Sequence, residues 1–400
     1  MSGPLEGILV LDMTYYQNGP WATVMLSDMG ADVIKIEDPV NGDPGRKMIL
    51  GNSSGTSANT YFQTMNRNKR GMTLDLKSDE GLEIYHTMAK KADVIVQNFR
   101  VGVVERLGVD YETVRKYNPT IVYASNSGFG PEGPDAKEGV FNLLGMARGG
   151  LMAQLAAQDP EPTIRDAGAL GDQTGAITLA YSILLGLVAR ERKGIGQHIQ
   201  VSQLSGQLML QALAVNQYLM DGAMPEFRLR ASAANPLFNI YRCADDKWIA
   251  MGCVQADRYW RDFAEILGID ELIDDPKFED LAARRENRVE LIETIDRCFI
   301  TKSREEWMRL FRGRRVNCTP LQTYEDIPTD PQVVANGYLV EIEHPELGRM
   351  TQVGVPAKLS ETPGAPRSAA PEFGQHTEEV LLEFGYDWAR IEGFRTRGVI

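Results

Sequence analysis

Ile8-Leu9-Val10-Leu11, then residues 21–29 closed by Gly30, then Val33-Ile34-Lys35-Ile36 is the stretch on which the fold turns. The outer runs are short, apolar and β-branched. The segment between them places apolar residues at helical spacing and stops at a glycine. The alternation continues outward. Residues 80–91 predict an amphipathic helix, Ala92-Asp93-Val94-Ile95-Val96 a strand, 111–117 a helix, and Thr120-Ile121-Val122-Tyr123-Ala124 a strand. Residues 195–200 add another strand. Strand–helix alternation at this spacing means βαβ units, so the expected class is α/β, with a parallel sheet covered by helices. Ligands of such sheets bind beyond the carboxyl ends of the strands. Those ends are expected at 12–17, 37–38, 98–99 and 125–133.

Gly168-Ala169-Leu170-Gly171-Asp172-Gln173-Thr174-Gly175 precedes a run, 176–188, that is apolar almost all round and predicts a buried helix. Asp172 then lies at a helix mouth, where unpaired N–H groups and a partial positive charge keep a carboxylate ionised. Two readings stay open on spacing alone: a helix N-cap, or a covalent nucleophile toward an acyl group.

Four hundred residues with 43% hydrophobic and 24% charged residues describe an ordinary globular chain, and the length favours two domains. A net charge of −13 excludes a broad basic field for nucleic acid. The N-terminus lacks a secretory pattern, and the apolar run is interrupted by Thr178, Ser182 and Gly186, so a cytoplasmic protein with no membrane partner is expected. Cys243, Cys253, Cys298 and Cys318 show no paired spacing, and the four histidines are scattered, so no metal is expected. From residue 238 short strands and Glu/Arg-rich helices (257–267, 287–298, 304–311) predict a smaller α+β domain. Residues 377–384 predict the final helix.

Gly128-Phe129-Gly130-Pro131-Glu132-Gly133 matches a dinucleotide fingerprint only by letters, because Pro131 and Pro134 suit a turn and no acid follows at the required distance. Asn66-Arg67-Asn68-Lys69-Arg70, with Arg46, Lys47 and Lys77, suits either a phosphate-bearing ligand or a solvated surface.

Together these segments resemble the class III coenzyme A-transferases, which include formyl-CoA:oxalate and crotonobetainyl-CoA:carnitine CoA-transferases. The resemblance runs through Gly7–Asp12, Gly30–Glu37, Asn68-Lys69-Arg70, Ala92–Phe99, Asn118-Pro119, Ala169-Leu170-Gly171-Asp172, Gly194–Gln197 and Gly374-Gln375-His376-Thr377. It implies a ring-shaped subunit in an interlocked dimer. Residues 1–200 would form a Rossmann-like CoA-binding domain, 201–225 a linker helix, 226–325 the small domain and 326–400 a return to the large one. It implies Asp172 as nucleophile and CoA contacts at Gln17, Leu74, Asp75, Leu76, Lys77, Asn98, Phe99 and Arg106. CoA or acyl-CoA would be a substrate, with a carboxylic acid as its counterpart and no permanently bound cofactor. Backbone N–H groups near Asp172 are the expected oxyanion donors. Several positions depart from the family pattern: Asp38 stands where some members have an arginine, and Asn142 and Gly139 stand where the oxalate enzymes have a glutamate and a lysine. A dicarboxylate larger than oxalate, or an aromatic-chain acid, is the expected acceptor, and succinyl-CoA the expected donor. The alternatives are an α-methylacyl-CoA racemase, which needs a histidine that 128–150 lacks, and the catalytic chain of a two-subunit transferase.

Overall fold

The structure, a computed structural model, describes residues 3–48, 59–156, 168–224 and 229–400. Contacts divide the chain into two compact units, residues 1–224 with 337–400, and residues 225–336. The expected end of the linker, at 225, lies outside the described residues.

The large unit begins β1 (Leu9–Met13), α1 (Asn18–Asp28), β2 (Asp32–Glu37), α2 (Thr60–Asn66), β3 (Arg70–Thr73), α3 (Asp79–Ala89), β4 (Val94–Gln97), α4 (Val103–Leu107), α5 (Tyr111–Val114) and β5 (Val122–Ser127). It continues with α6 (Asn142–Arg148), α7 (Leu151–Ala156), α8 (Leu170–Lys193), β6 (Gln197–Ser202), α9 (Gln203–Leu210) and α10 (Ala212–Asp221). The six strands form one sheet in the order β3-β2-β1-β4-β5-β6, and every pairing is parallel. This is the doubly wound order, and its strand sequence reverses between β1 and β4. Apolar side chains cover both faces. Tyr85 and Met88 of α3 pack on one with Leu11, Ile34 and Ile95. Ala176, Leu179 and Ile183 of α8 pack on the other with Val10, Val94 and Val122. Gly186 lets α8 lie against the sheet, since a Cβ there would meet Ile199 and Val122 at 2.7 and 2.8 Å.

Four expectations need correction. The helix expected to be buried all round is buried on one side only. Ile177, Tyr181, Leu184, Leu185 and Val188 form an exposed stripe at helical spacing, because the sheet covers a single face. By length and composition alone the 24 residues of α8 could cross a membrane, despite the interruptions at Thr178, Ser182 and Gly186. The segment after β6 is two helices, broken at Gln211, where φ and ψ leave helical values. Residues 377–384 are also not the last helix. A further one, Trp388–Thr396, is capped by the Asp387 side chain and buries Ile391 and Phe394.

The small unit contains β7 (Ile240–Arg242), β8 (Trp248–Met251), α11 (Ala256–Leu267), α12 (Leu281–Glu286), α13 (Arg288–Phe299), α14 (Arg304–Phe311), β9 (Cys318–Leu321) and α15 (Pro331–Asn336). Its strands form an antiparallel sheet, β7-β8-β9. Trp260, Phe263, Phe299, Trp307 and Phe311 make an aromatic core, and all four cysteines of the chain are free thiols. The hairpin β10 (Leu339–His344) and β11 (Gly348–Val353), with α16 (Thr377–Glu383) and α17 (Trp388–Thr396), completes the large unit.

Candidate active site

Two cavities open at the carboxyl ends of the large sheet, and both are lined by Tyr15 and Phe99. The first, about 400 Å³, is lined by Asp38, Leu74, Asp75, Leu76, Lys77 and Arg106 among others. The second, about 690 Å³, holds Asp172, with Gln17, Asn18, Tyr61, Asn98, Asn126, Phe141, Asn142 and Gln203 in its wall. The eight candidate contact residues therefore divide between two neighbouring cavities. Leu74–Lys77 and Arg106 lie in one, Gln17 and Asn98 in the other, and Phe99 in both.

Asp172 is not the helix N-cap. Helix α8 starts at Leu170 after Ala169, which has φ +56° and makes no side-chain cap bond. Asp172 is thus the third helical residue, half-buried at the cavity wall. The cap comes from another element. Asn142, the first residue of α6, accepts through Oδ1 from Gly171 N at 2.8 Å and Asp172 N at 3.1 Å. These two backbone donors are therefore occupied, which corrects their expected oxyanion role. The Asp172 carboxylate accepts through Oδ1 from Gln203 Nε2 and from Asn18 Nδ2, the latter at 3.4 Å.

Other amide atoms in this wall are buried without a hydrogen-bond partner: Asn126 Nδ2 and Oδ1, Asn142 Nδ2 and Gln203 Oε1. A buried unpaired polar group costs about 1–3 kcal/mol, so such a concentration marks a surface shaped for a polar ligand. Burial and the nearby Asp172 carboxylate push the Tyr61 phenol above its ordinary range, which keeps it protonated. Among the described residues lining this cavity there is no histidine, and among all described residues no cluster could hold a metal ion.

The basic run is not a ligand-binding surface. Arg67 pairs with Asp28 at 2.7 Å, Lys69 with Asp12 at 2.9 Å, Arg70 with Asp32 at 2.6 Å, and Arg46 with Glu37 at 2.7 Å. Arg67, Lys69 and Arg70 have their acids on distant segments, Arg46 has its acid nine residues earlier, and Arg67 and Lys69 are buried. Lys77 alone of that group lines the first cavity, where it approaches Asp38 at 3.4 Å. Asp38 also accepts from Val40 N and Asn41 N. Burial opposes its ionisation, but these bonds and Lys77 hold its carboxyl below the usual range.

The Gly128–Gly133 segment follows β5 as bends and turns, with no helix opening behind it, so the phosphate-binding context is absent. Residues 14–17, between β1 and α1, are held by buried charges. Lys35 pairs with Asp43 at 2.8 Å and donates to Thr14 O at 2.8 Å.

Asn18, Tyr61, Asn126 and Gln203 carried no motif in the sequence. Gln203 and Asn126 sit at the ends of β6 and β5, where the strand-end rule points. Asn18 stands one residue beyond the expected window at β1.

The fold and this site define a doubly wound α/β enzyme with a carboxylate at the strand ends. The chain belongs to CoA-transferase family III, whose model matches residues 5–377, and it is a CoA-transferase acting between acyl-CoA and carboxylic acids. It is 30% identical over 398 residues to succinyl-CoA:glutarate CoA-transferase of Mus musculus, covering 99% of this chain and 90% of that one. It is 33% identical over 390 residues to succinyl-CoA:mesaconate CoA-transferase of Haloarcula hispanica, covering 96% and 97%. A CaiB/BaiF family protein from Brucella suis superposes with a TM-score of 0.85 at 28% identity, covering 96% of this chain and all of that one (100%).

Proposed function

We propose that the chain moves coenzyme A from succinyl-CoA, or a closely similar dicarboxylic acyl-CoA, to a dicarboxylic acid acceptor through covalent intermediates on Asp172. The observation that carries this reading is the Asp172 carboxylate in the wall of the 690 Å³ cavity, oriented by Gln203 and Asn18. The relatives named for succinyl-CoA with glutarate or mesaconate support the substrate class.

An Asp172 oxygen attacks the donor thioester carbonyl, the C–S bond breaks, and a mixed anhydride and CoA thiolate result. The thiolate attacks the aspartyl carbonyl, so the donor acid leaves as its carboxylate and an aspartyl-CoA thioester remains. The acceptor carboxylate attacks that thioester and releases the thiolate. The thiolate then attacks the acceptor acyl carbon of the new anhydride, giving acceptor-CoA and restoring Asp172. Atoms and charge balance at each step without a redox partner. Asn142 Nδ2 and Asn126 Nδ2 are the side-chain donors for the successive oxyanions. The Leu74–Lys77 segment, Arg106 and Phe99 hold the nucleotide end of CoA in the first cavity, and Gln17 lies along the passage to Asp172.

Transfer of CoA between succinate and a C5 dicarboxylate, with no deuterium entering the α-carbon, is the expected assay result. Deuterium uptake without transfer would instead establish a racemase. A homodimer is part of the proposal, because the Ile177–Val188 stripe of α8 and exposed Leu213, Leu219 and Met220 of α10 leave apolar faces for a second copy. Sedimentation should return twice the chain mass of 44.5 kDa. A monomer at that chain mass would contradict it.

A further inference from the structure

Asn98 follows β4 and Asn18 opens α1, so the two amides face each other where the strand order reverses. Asn98 Oδ1 accepts from Tyr15 N at 2.9 Å. Its Nδ2 donates to Tyr15 O at 2.8 Å and to Asn18 Oδ1 at 3.0 Å. Asn18 Nδ2 in turn donates to Asp172 Oδ1 at 3.4 Å.

A side-chain amide has two N–H donors, and both of those on Asn98 are occupied within the protein. The side chain therefore has no donor left over for a ligand, although the family resemblance implies a CoA contact at this position. The ends of the chain also fix its direction. Tyr15 N–H can only donate, and an ionised Asp172 can only accept. Between them each amide satisfies its neighbours in one orientation, with oxygen toward Tyr15 and nitrogen toward Asp172.

The fixed end is held from the opposite side as well. Lys35 Nζ donates to Thr14 O at 2.8 Å, and Tyr16 N donates to Asp43 Oδ1 at 3.1 Å. Tyr16 has φ +64°, a left-handed conformation that a bulky residue keeps only when its surroundings impose it.

We infer that Asn98 and Asn18 form a directional amide relay that sets the orientation of the Asp172 carboxylate, which makes Asn98 a positioning residue. The inference rests on the reading of Asp172 as the nucleophile.

The test compares Asn98→Ala, Asn98→Asp, Asn18→Ala and the double variant Asn98→Asp/Asn18→Ala in the full-length enzyme, with melting temperatures recorded for each. An aspartate at 98 presents only acceptors to Asn18, which then turns its oxygen toward Asp172. The Asn98→Asp variant should lose about tenfold or more in kcat beyond Asn98→Ala, and that extra loss should vanish when Asn18 is alanine. KM for the acyl-CoA should stay within about twofold of the parent, because both side-chain donors of Asn98 are spent on Tyr15 and Asn18. Equal kcat for Asn98→Ala and Asn98→Asp, or a raised KM with kcat kept, would overturn the relay. If Asn98→Asp does not fold, Asn18→Leu removes the Asn18 donor to Asp172 while leaving that of Gln203, and must by itself lower kcat with KM kept. An Asp172→Ala variant separates the two claims. If it is inactive while the relay variants behave alike, only the relay fails; if it turns over normally, the nucleophile reading fails first.

Discussion

Asp172→Ala is expected to lower CoA transfer by about three orders of magnitude or more while leaving the melting temperature close to that of the parent. The carboxylate is half-buried and contributes no cap to its own helix, because Asn142 performs that task. On the proposed mechanism its removal takes away the nucleophile, and with it the acceptor for Gln203 and Asn18. Asp172→Asn is the sharper variant. An amide keeps the size and an acceptor oxygen for Gln203, but it cannot form an anhydride. If Asp172 served only to complete the hydrogen bonds of the cavity wall, asparagine would support turnover. Comparable loss in both variants, measured as initial rates at saturating acyl-CoA and acceptor, is the outcome the mechanism requires.

The second large effect concerns folding. Asp12 and Lys69 are fully buried and paired at 2.9 Å. The ammonium also donates to Pro20 O, Met65 O and Asn66 Oδ1. The second Asp12 oxygen, Oδ1, accepts from Thr14 N. Burial and the neighbouring Lys35 already hold the Lys69 pKa down at about 8 although Asp12 raises it, so Asp12→Ala leaves a buried amine without its counter-ion and should cost about 3–5 kcal/mol of stability. The double variant Asp12→Ala/Lys69→Met should recover much of that loss, since an apolar side chain has no charge to compensate.

The pH dependence has a definite sign. Burial opposes ionisation of Asp12, but Lys69, Lys35 and hydrogen bonds from Thr14 and Thr23 hold its pKa down at about 2, against an ordinary 3.8. A carboxyl with a lowered folded-state pKa contributes stability that is present above pH 3.8 and lost as pH falls toward 2. The parent should therefore lose stability in that acid window, and Asp12→Ala should lack this component. Denaturant titrations between pH 5 and pH 2, followed by circular dichroism, read both effects. A variant as stable as the parent at neutral pH, or one with an unchanged acid slope, would show that the pair is not a structural anchor.

Much of the architecture was legible because sheet-forming runs and helical spacing recur in register with glycine and proline stops. Residues 8–11, 33–36 and 92–96 fall within one or two positions of β1, β2 and β4. The burial of α8 was not legible in the same way. An apolar periphery looks identical whether it faces a sheet or a second molecule, so Tyr181 and Leu185 could not be told from Leu179 and Ile183 by residue type. The charged run at 67–70 misled for a related reason. Its partners Asp28, Asp12 and Asp32 sit on other strands and helices, and local charge density carries no record of distant acids.

At the site, Asp172 stood out through its glycines and its place before an apolar helix. Its exact position did not, because the start of α8 depends on a left-handed conformation at Ala169 that no residue type announces. The amides Asn18, Asn126 and Gln203 were hidden more deeply. Neutral amides occur throughout loops and helix ends, and only the convergence of β1, β5 and β6 gives these three a common function.

Covalent chemistry at Asp172 is tested most directly by mass spectrometry of the enzyme after incubation with succinyl-CoA in the absence of acceptor. A CoA thioester on the peptide carrying Asp172, converted to a hydroxamate by hydroxylamine and discharged by added dicarboxylate, is the predicted result. Full turnover with that peptide unmodified, or with the adduct on another residue, would contradict the account.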